Sequence, residues 1–144
     1  LFRSSDSNGL RGRIAVVASI AAFVPAPGAP AYCASKAAVD AWVVGSVASA
    51  RRRGIQLTSL CPGYVQSAMT AGNRFPMPGL MGADRAARIM LRGIAAGRRR
   101  VVFPWWMGLA ARFVGLLPPA VSARLLGLAP GKAAGTGDEN RYNS

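Results

Sequence analysis

The chain has 144 residues, 51% of them hydrophobic, which suits one ordinary globular domain. Its 18 lysines and arginines outnumber its 5 acidic residues, and a net charge of +13 would attract nucleic acid, anionic lipid or a phosphorylated cofactor. The absence of histidine excludes Ser-His-Asp and Cys-His nucleophile systems, and with two cysteines no metal site is expected.

Four regions follow one another along the chain. They are an irregular lead-in (1–12), an α/β region (13–104), two amphipathic helices (105–130) and a small, polar tail predicted to be disordered (131–144). The chain begins with leucine and not with methionine, so we expect coding sequence upstream of it.

The α/β region opens with a short apolar run, residues 14–18, which predicts a strand covered on both faces. A proline-rich loop follows, and then a helix over 31–53, whose last turn carries three arginines and which Gly54 terminates. This helix is apolar on nearly every side. We therefore expect it to pack on a sheet with one face and on another helix with the other, forming a homo-oligomer.

The second half of this region predicts two more strands. Residues 55–60 alternate apolar and polar side chains and end at Pro62-Gly63, and residues 101–103 form the third strand. Between them lie a loop (69–82) and a helix (83–96). The order strand, helix, strand, helix, strand predicts an α/β fold with a three-stranded parallel sheet.

The two cysteines, Cys33 and Cys61, are predicted to be reduced and partly buried. No secretory signal is recognisable, and no apolar run approaches the roughly 20 residues that span a bilayer. These features predict a cytoplasmic protein.

Tyr32 and Lys36 lie one turn apart at the start of the first predicted helix. They follow the carboxyl end of a strand, which is where open α/β sheets bind ligands. A nearby ammonium favours the phenolate of a tyrosine, so the pair suits proton transfer to or from a substrate oxygen, which Ser19 could orient. The alternative is a packed phenol beside a solvated lysine.

Three segments, GRIAVVASIAA, YCASKAAV and CPGYVQSAM, resemble in order and spacing the carboxyl-terminal half of the classical short-chain dehydrogenase/reductase family. The resemblance covers about residues 12–104. It implies part of a Rossmann-like sheet, and hydride transfer between NAD or NADP and a carbonyl or alcohol.

The resemblance assigns roles to individual positions. It implies that Tyr32 is the general acid/base, that Lys36 assists it and holds the nicotinamide ribose, and that Ser19 binds the reacting oxygen. The cofactor-binding positions it implies are Tyr32, Lys36, Pro62, Gly63, Val65 and Ser67. The segment 69–81, rich in methionine and proline, would be a mobile substrate loop and suggests an apolar substrate.

The family's glycine-rich phosphate loop, its residue that separates NAD from NADP and its relay asparagine all precede the serine strand. Residues 1–13 contain none of these features. We therefore expect a fragment that binds the cofactor poorly on its own, with an unpaired edge at 14–18 where the missing half would dock.

A function of another class is a non-catalytic basic module that binds a membrane surface or nucleic acid. Its cations would be the arginine runs 51–53 and 98–100. No recognition motif accompanies them, so solvated ends of helices and strands are the preferred interpretation and no specific nucleic-acid binding is expected.

The last region carries an apolar stripe, which we define as Trp105, Leu109, Phe113 and Leu116. With Arg112 and Arg124 beside it, the segment 105–128 suits a peripheral membrane contact. It equally suits packing over the substrate pocket or on another subunit, and we prefer this packed interpretation because amphipathic helices usually face a core.

Overall fold

The computed structural model describes residues 11–67 and 76–128. The predictions for the tail, for most of the lead-in and for part of the loop 69–82 lie outside these residues. Within the described ranges, no helix is both long enough and apolar enough to cross a membrane.

Within these residues the sheet has three parallel strands in the order β1-β2-β3. They are β1 (Gly12–Val17), β2 (Ile55–Pro62) and β3 (Arg100–Phe103). Ile14 is in register with Leu57, and Leu60 with Val101. The predicted α/β class and parallel sheet are confirmed, although β1 begins and ends earlier than expected.

Four α-helices accompany the strands in the described ranges: α1 (Pro30–Arg52), α2 (Ala83–Ala95), α3 (Trp105–Leu116) and α4 (Pro119–Leu128). Pro30 opens α1, and Gly54, with φ of +73°, follows its end as predicted. A short 3-10 turn, Ile20–Phe23, was not predicted; it lies between β1 and α1.

The alternation of side chains along β2 and β3 places α1 and α2 on opposite faces of the sheet. Leu60, Val101 and Phe103 form an apolar core with Ala86 of α2. Ser59 and Cys61, which point the other way, contact Asp40 of α1. β2 is therefore covered on both faces.

This double coverage corrects the alternating pattern expected for β2. Every residue from Leu57 to Cys61 is buried, including the polar Thr58 and Ser59. Thr58 donates a hydrogen bond to the Arg98 carbonyl (2.8 Å) and accepts one from Gln56 (3.3 Å). The central position explains the burial, because the polar groups find partners within the protein.

The outward side of α1 is exposed in this chain. The helix buries Cys33, Asp40 and Val43, whereas Trp42 on the opposite side is 64% exposed. The described residues of this chain leave this side of α1 exposed, so its packing on a partner subunit stays a prediction.

A polar network ties α1 to the sheet. The Asp40 carboxylate accepts hydrogen bonds from Ser59 Oγ (2.7 Å), from Arg100 Nε (3.0 Å) and from Arg100 Nη2 (2.6 Å). Burial alone would raise the pKa of Asp40, but these hydrogen bonds and the arginine charge outweigh it, so its pKa lies below the ordinary value. The ionised carboxylate therefore stabilises the fold.

We expect Asp40→Asn to lower the free energy of unfolding at pH 7 by about 2–4 kcal/mol, because it leaves a half-buried arginine without its counter-ion. A lowered pKa means that the carboxylate stabilises the protein above the unfolded value of about 4 and loses this effect as the pH falls through the folded value. Urea unfolding across acidic pH measures both effects.

The matched control is Asp84→Asn, in the exposed first turn of α2, with an expected loss below about 1 kcal/mol. Equal effects of the two substitutions, or a difference between wild type and Asp40→Asn that does not shrink in acid, would contradict this account.

Candidate active site

At the carboxyl edge of the sheet, Lys36 lies close to the end of β1 and to Tyr32. Lys36 Nζ donates a hydrogen bond to the carbonyl of Val17, the last residue of β1, at 3.3 Å. The same ammonium lies 5.7 Å from the centroid of the Tyr32 ring. Because an ammonium has three donors, the bond to Val17 leaves two for other oxygens.

Tyr32 lies in the first turn of α1, and the residue is 43% exposed. Its backbone carbonyl accepts a hydrogen bond from Ser35 Oγ at 2.7 Å, which supports the helix start. The phenol is therefore open to a ligand and close to a cation.

Ser19 follows β1 and caps the 3-10 turn, where its Oγ accepts a hydrogen bond from the Ala21 N–H at 3.1 Å. A hydroxyl that accepts this bond still carries a proton to donate. Ser19 is thus fixed by its own turn and retains a donor for another oxygen.

Pro62 ends β2 on the same edge, and Gly63 follows it. The Gly63 N–H donates to the Phe103 carbonyl at 2.8 Å. A Cβ added at Gly63 would lie 2.9 Å from Met107 Sδ and 3.4 Å from Ile20 Cδ1. Glycine therefore allows α3 and the residue next to Ser19 to approach this turn.

Val65 and Ser67 lie further along the same segment. Val65 forms a parallel bridge with Met81, and its side chain packs against the α2 core. Ser67 is exposed. The structure thus places Val65 against Met81, on the far side of the loop that begins after Ser67.

Two concave regions are candidates for a substrate site, and one of them borders Gly63 at this edge of the sheet. A cleft of about 290 Å³ is lined by Leu80, Met81, Arg85, Pro104 and Trp106, with Gly79 and Gly82. A larger groove of about 450 Å³ lies towards the far end of α1, beginning at Val44, about 18 Å along the helix from Tyr32. The smaller cleft is the better substrate candidate because Pro104 also borders Gly63.

The polar network of Asp40, Ser59 and Arg100 is not predicted by the sequence. Arg100 belongs to a run for which solvent exposure is expected, but it pairs with Asp40, whereas Arg98 and Arg99 are exposed as expected. A single carboxylate within an otherwise apolar helix was the available signal. The predicted free state of the cysteines is confirmed, and both are buried. Burial raises the pKa of the Cys61 thiol to about 11, which disfavours a nucleophilic role.

The sequence profile of the short chain dehydrogenase family matches residues 5–76. This chain belongs to that family. An uncharacterized oxidoreductase of Myxococcus xanthus is 38% identical over 108 residues, which cover 75% of this chain and 43% of that protein. The 11-beta-hydroxysteroid dehydrogenase-like 6 of Arabidopsis thaliana is 30% identical, with coverages of 74% and 36%. The chain thus spans less than half the length of these relatives.

Solved structures share the fold. A short chain dehydrogenase from Burkholderia cenocepacia, in complex with NADP, has a TM-score of 0.65 and 25% identity, covering 79% of this chain and 47% of that one. A short-chain dehydrogenase from Sphingobium yanoikuyae, in complex with NADPH, has a TM-score of 0.60 and 23% identity, with coverages of 88% and 48%. The Rossmann-like architecture is therefore shown.

We expect Ser19→Ala to lower the free energy of unfolding by about 0.5–1 kcal/mol, because the Ala21 N–H loses its acceptor. Ser19→Thr keeps the acceptor and should recover most of the loss. Urea unfolding measures both, with Ser49→Ala in α1 as the hydroxyl-deletion control. An alanine variant at position 19 as stable as wild type would show that the cap contributes nothing.

Proposed function

We propose that these residues form the catalytic half of an NAD(P)-dependent oxidoreductase that interconverts a carbonyl and an alcohol. The observation that carries the proposal is the position of Lys36, whose ammonium bonds to the end of β1 and also lies 5.7 Å from the centroid of the Tyr32 ring. Membership of the short chain dehydrogenase family supports the reaction class.

In this proposal Tyr32 exchanges a proton with the substrate oxygen through its exposed phenol. Lys36 stabilises the phenolate form that appears when the proton leaves. Ser19 donates its remaining proton to the same oxygen and so orients it. Carbonyl reduction uses the proton of Tyr32, and alcohol oxidation returns one to it.

The donors at this edge fit the nicotinamide and ribose end of a dinucleotide. The free N–H groups of Lys36 suit ribose hydroxyls, and the segment from Pro62 to Ser67 would border the nicotinamide. When bound, the cofactor supplies or accepts the hydride. The NADP complex of the Burkholderia relative supports this class of cofactor.

The polypeptide that carries this activity would also include a glycine-rich phosphate loop. The strands that accompany this loop would extend the sheet at the edge of β1. Support comes from the relatives, of which this chain spans less than half, and from the edge position of β1 in the described sheet. A strand added there would cover Ile14 and Val17, which are both about half exposed.

The substrate is proposed to be apolar and to bind in the cleft of Leu80, Met81 and Trp106. Arg85, in the same lining, would favour a substrate with an anionic or carbonyl oxygen at one end. The alternative of a non-catalytic basic module gains no support from the comparisons.

In the complete polypeptide, Tyr32→Phe should lower turnover of apolar ketones by about a hundredfold or more, because the proton donor is removed. The rate of NADPH or NADH oxidation, followed by absorbance, measures this turnover. Circular dichroism should show an unchanged fold. The control, Ser49→Ala, deletes a hydroxyl at the other end of α1 and should keep full turnover. Turnover that survives Tyr32→Phe would disprove the catalytic assignment.

We further propose a homo-oligomer through the outward face of α1. Between Lys36 and Arg51 this face carries no charge, and its exposed residues are small apart from Trp42. Small residues let two helices approach closely, while an exposed tryptophan supplies an anchor.

Trp42→Ser should therefore weaken self-association by about tenfold or more, because the anchor is lost. Sedimentation over a range of concentrations measures this. The control Leu91→Ser removes an equally exposed apolar side chain from α2 and should leave association unchanged. Identical behaviour of the two variants would refute the assignment of the interface to α1.

A further inference from the structure

α3 packs with its smallest residues inward. Gly108 faces Val102 of β3, Gly115 faces the carbonyl of Phe23, and Ala111 between them is buried. A Cβ added at either glycine would collide with these neighbours. The helix therefore lies close against β3 and the 3-10 turn at these small residues.

The apolar stripe points away from this packed side. At 100° per residue its four members fall within about 80° of the helix circumference, and each is between 58% and 85% exposed. A helix that served only to cover a core would show the reverse arrangement. Within the described residues the stripe contacts solvent and does not pack over a pocket of its own chain, while packing on another subunit stays a prediction. α4 adds two exposed residues, Val121 and Leu125.

The stripe is continuous with the substrate cleft. Trp106, the neighbour of Trp105, and Leu80 line that cleft, and both are themselves about two-fifths exposed. The exposed apolar surface therefore extends from α3 to the mouth of the cleft, an extent that usually marks an interaction site.

The charges around this surface indicate which kind of partner it binds. Arg85 lines the cleft, Arg112 lies at the border of the stripe with its guanidinium over the Phe23 ring at 4.5 Å, and Arg124 is exposed on α4. The sequence contains no acidic residue between positions 85 and 137. Two copies joined through this surface by a two-fold axis would place arginines against arginines. An anionic partner avoids this repulsion.

We propose that the apolar stripe and its arginines bind the surface of a membrane that contains anionic lipid. Large apolar side chains would enter the boundary between headgroups and acyl chains, where tryptophan is favoured, while the arginines face phosphates. With 12 residues, α3 is about 18 Å long, so it lies in the plane of the membrane. This proposal does not depend on the oxidoreductase activity.

The test is vesicle flotation of the full-length protein, with phosphatidylcholine alone and with phosphatidylcholine plus phosphatidylglycerol. Binding to the anionic vesicles is expected, and it should fall by about tenfold or more in the double variant Phe113→Ser, Leu116→Ser. Leu91→Ser, which removes an exposed leucine elsewhere, should bind like wild type. Arg124→Glu should weaken binding to the anionic vesicles only.

Absence of flotation with both vesicles would overturn the proposal, as would equal binding by the double variant and wild type. Equal binding to both lipid compositions would overturn the choice of an anionic surface. If the double variant unfolds, tryptophan quenching by brominated phosphatidylglycerol decides, in a background in which Trp42 and any tryptophan outside these 144 residues are replaced by phenylalanine, so that Trp105 and Trp106 remain. Quenching supports the proposal, and its absence refutes it. A loss of self-association in the double variant without vesicle binding would assign the stripe to a second copy.

Discussion

The Asp40 carboxylate is the constraint on which the placement of α1 depends. It joins the helix to the central strand through Ser59 and to β3 through both donor nitrogens of Arg100. A buried ion pair contributes less to stability than to geometry, because desolvation offsets much of its attraction. Lys36 lies one helical turn before Asp40. The bonds of Asp40 therefore also fix the position of the Lys36 ammonium at the end of β1.

The fold was largely predictable because its signals are local. The prolines and glycines bounding α1 and β2, and the alternation of strands and helices, determine element type without knowledge of tertiary contacts. Proximity of Tyr32 and Lys36 followed from helical spacing alone. The Asp40 network was not predictable in the same way, since its partners are separated by 19 and 60 positions. Likewise, nothing in the spacing of Thr58 and Ser59 reveals that β2 is covered on both faces.

α3 shows why an amphipathic pattern does not by itself give orientation. Its sequence marks a stripe of large apolar residues, and a core-facing position is the usual outcome for such a stripe. Two glycines reverse it, because the close approach to Val102 and to the Phe23 carbonyl is open only to a residue without a Cβ. The side of α3 that carries the small residues therefore packs against the protein. The large apolar side chains face outward.

Trp106 and Leu80 belong at once to the wall of the cleft and to the exposed apolar surface. If the proposed activity and the proposed membrane contact belong to one polypeptide, a water-insoluble ketone would reach this cleft by lateral diffusion within a leaflet and not from the bulk solution. Its turnover would then follow the mole fraction of ketone among the lipids, and added inert lipid would lower it at constant total ketone.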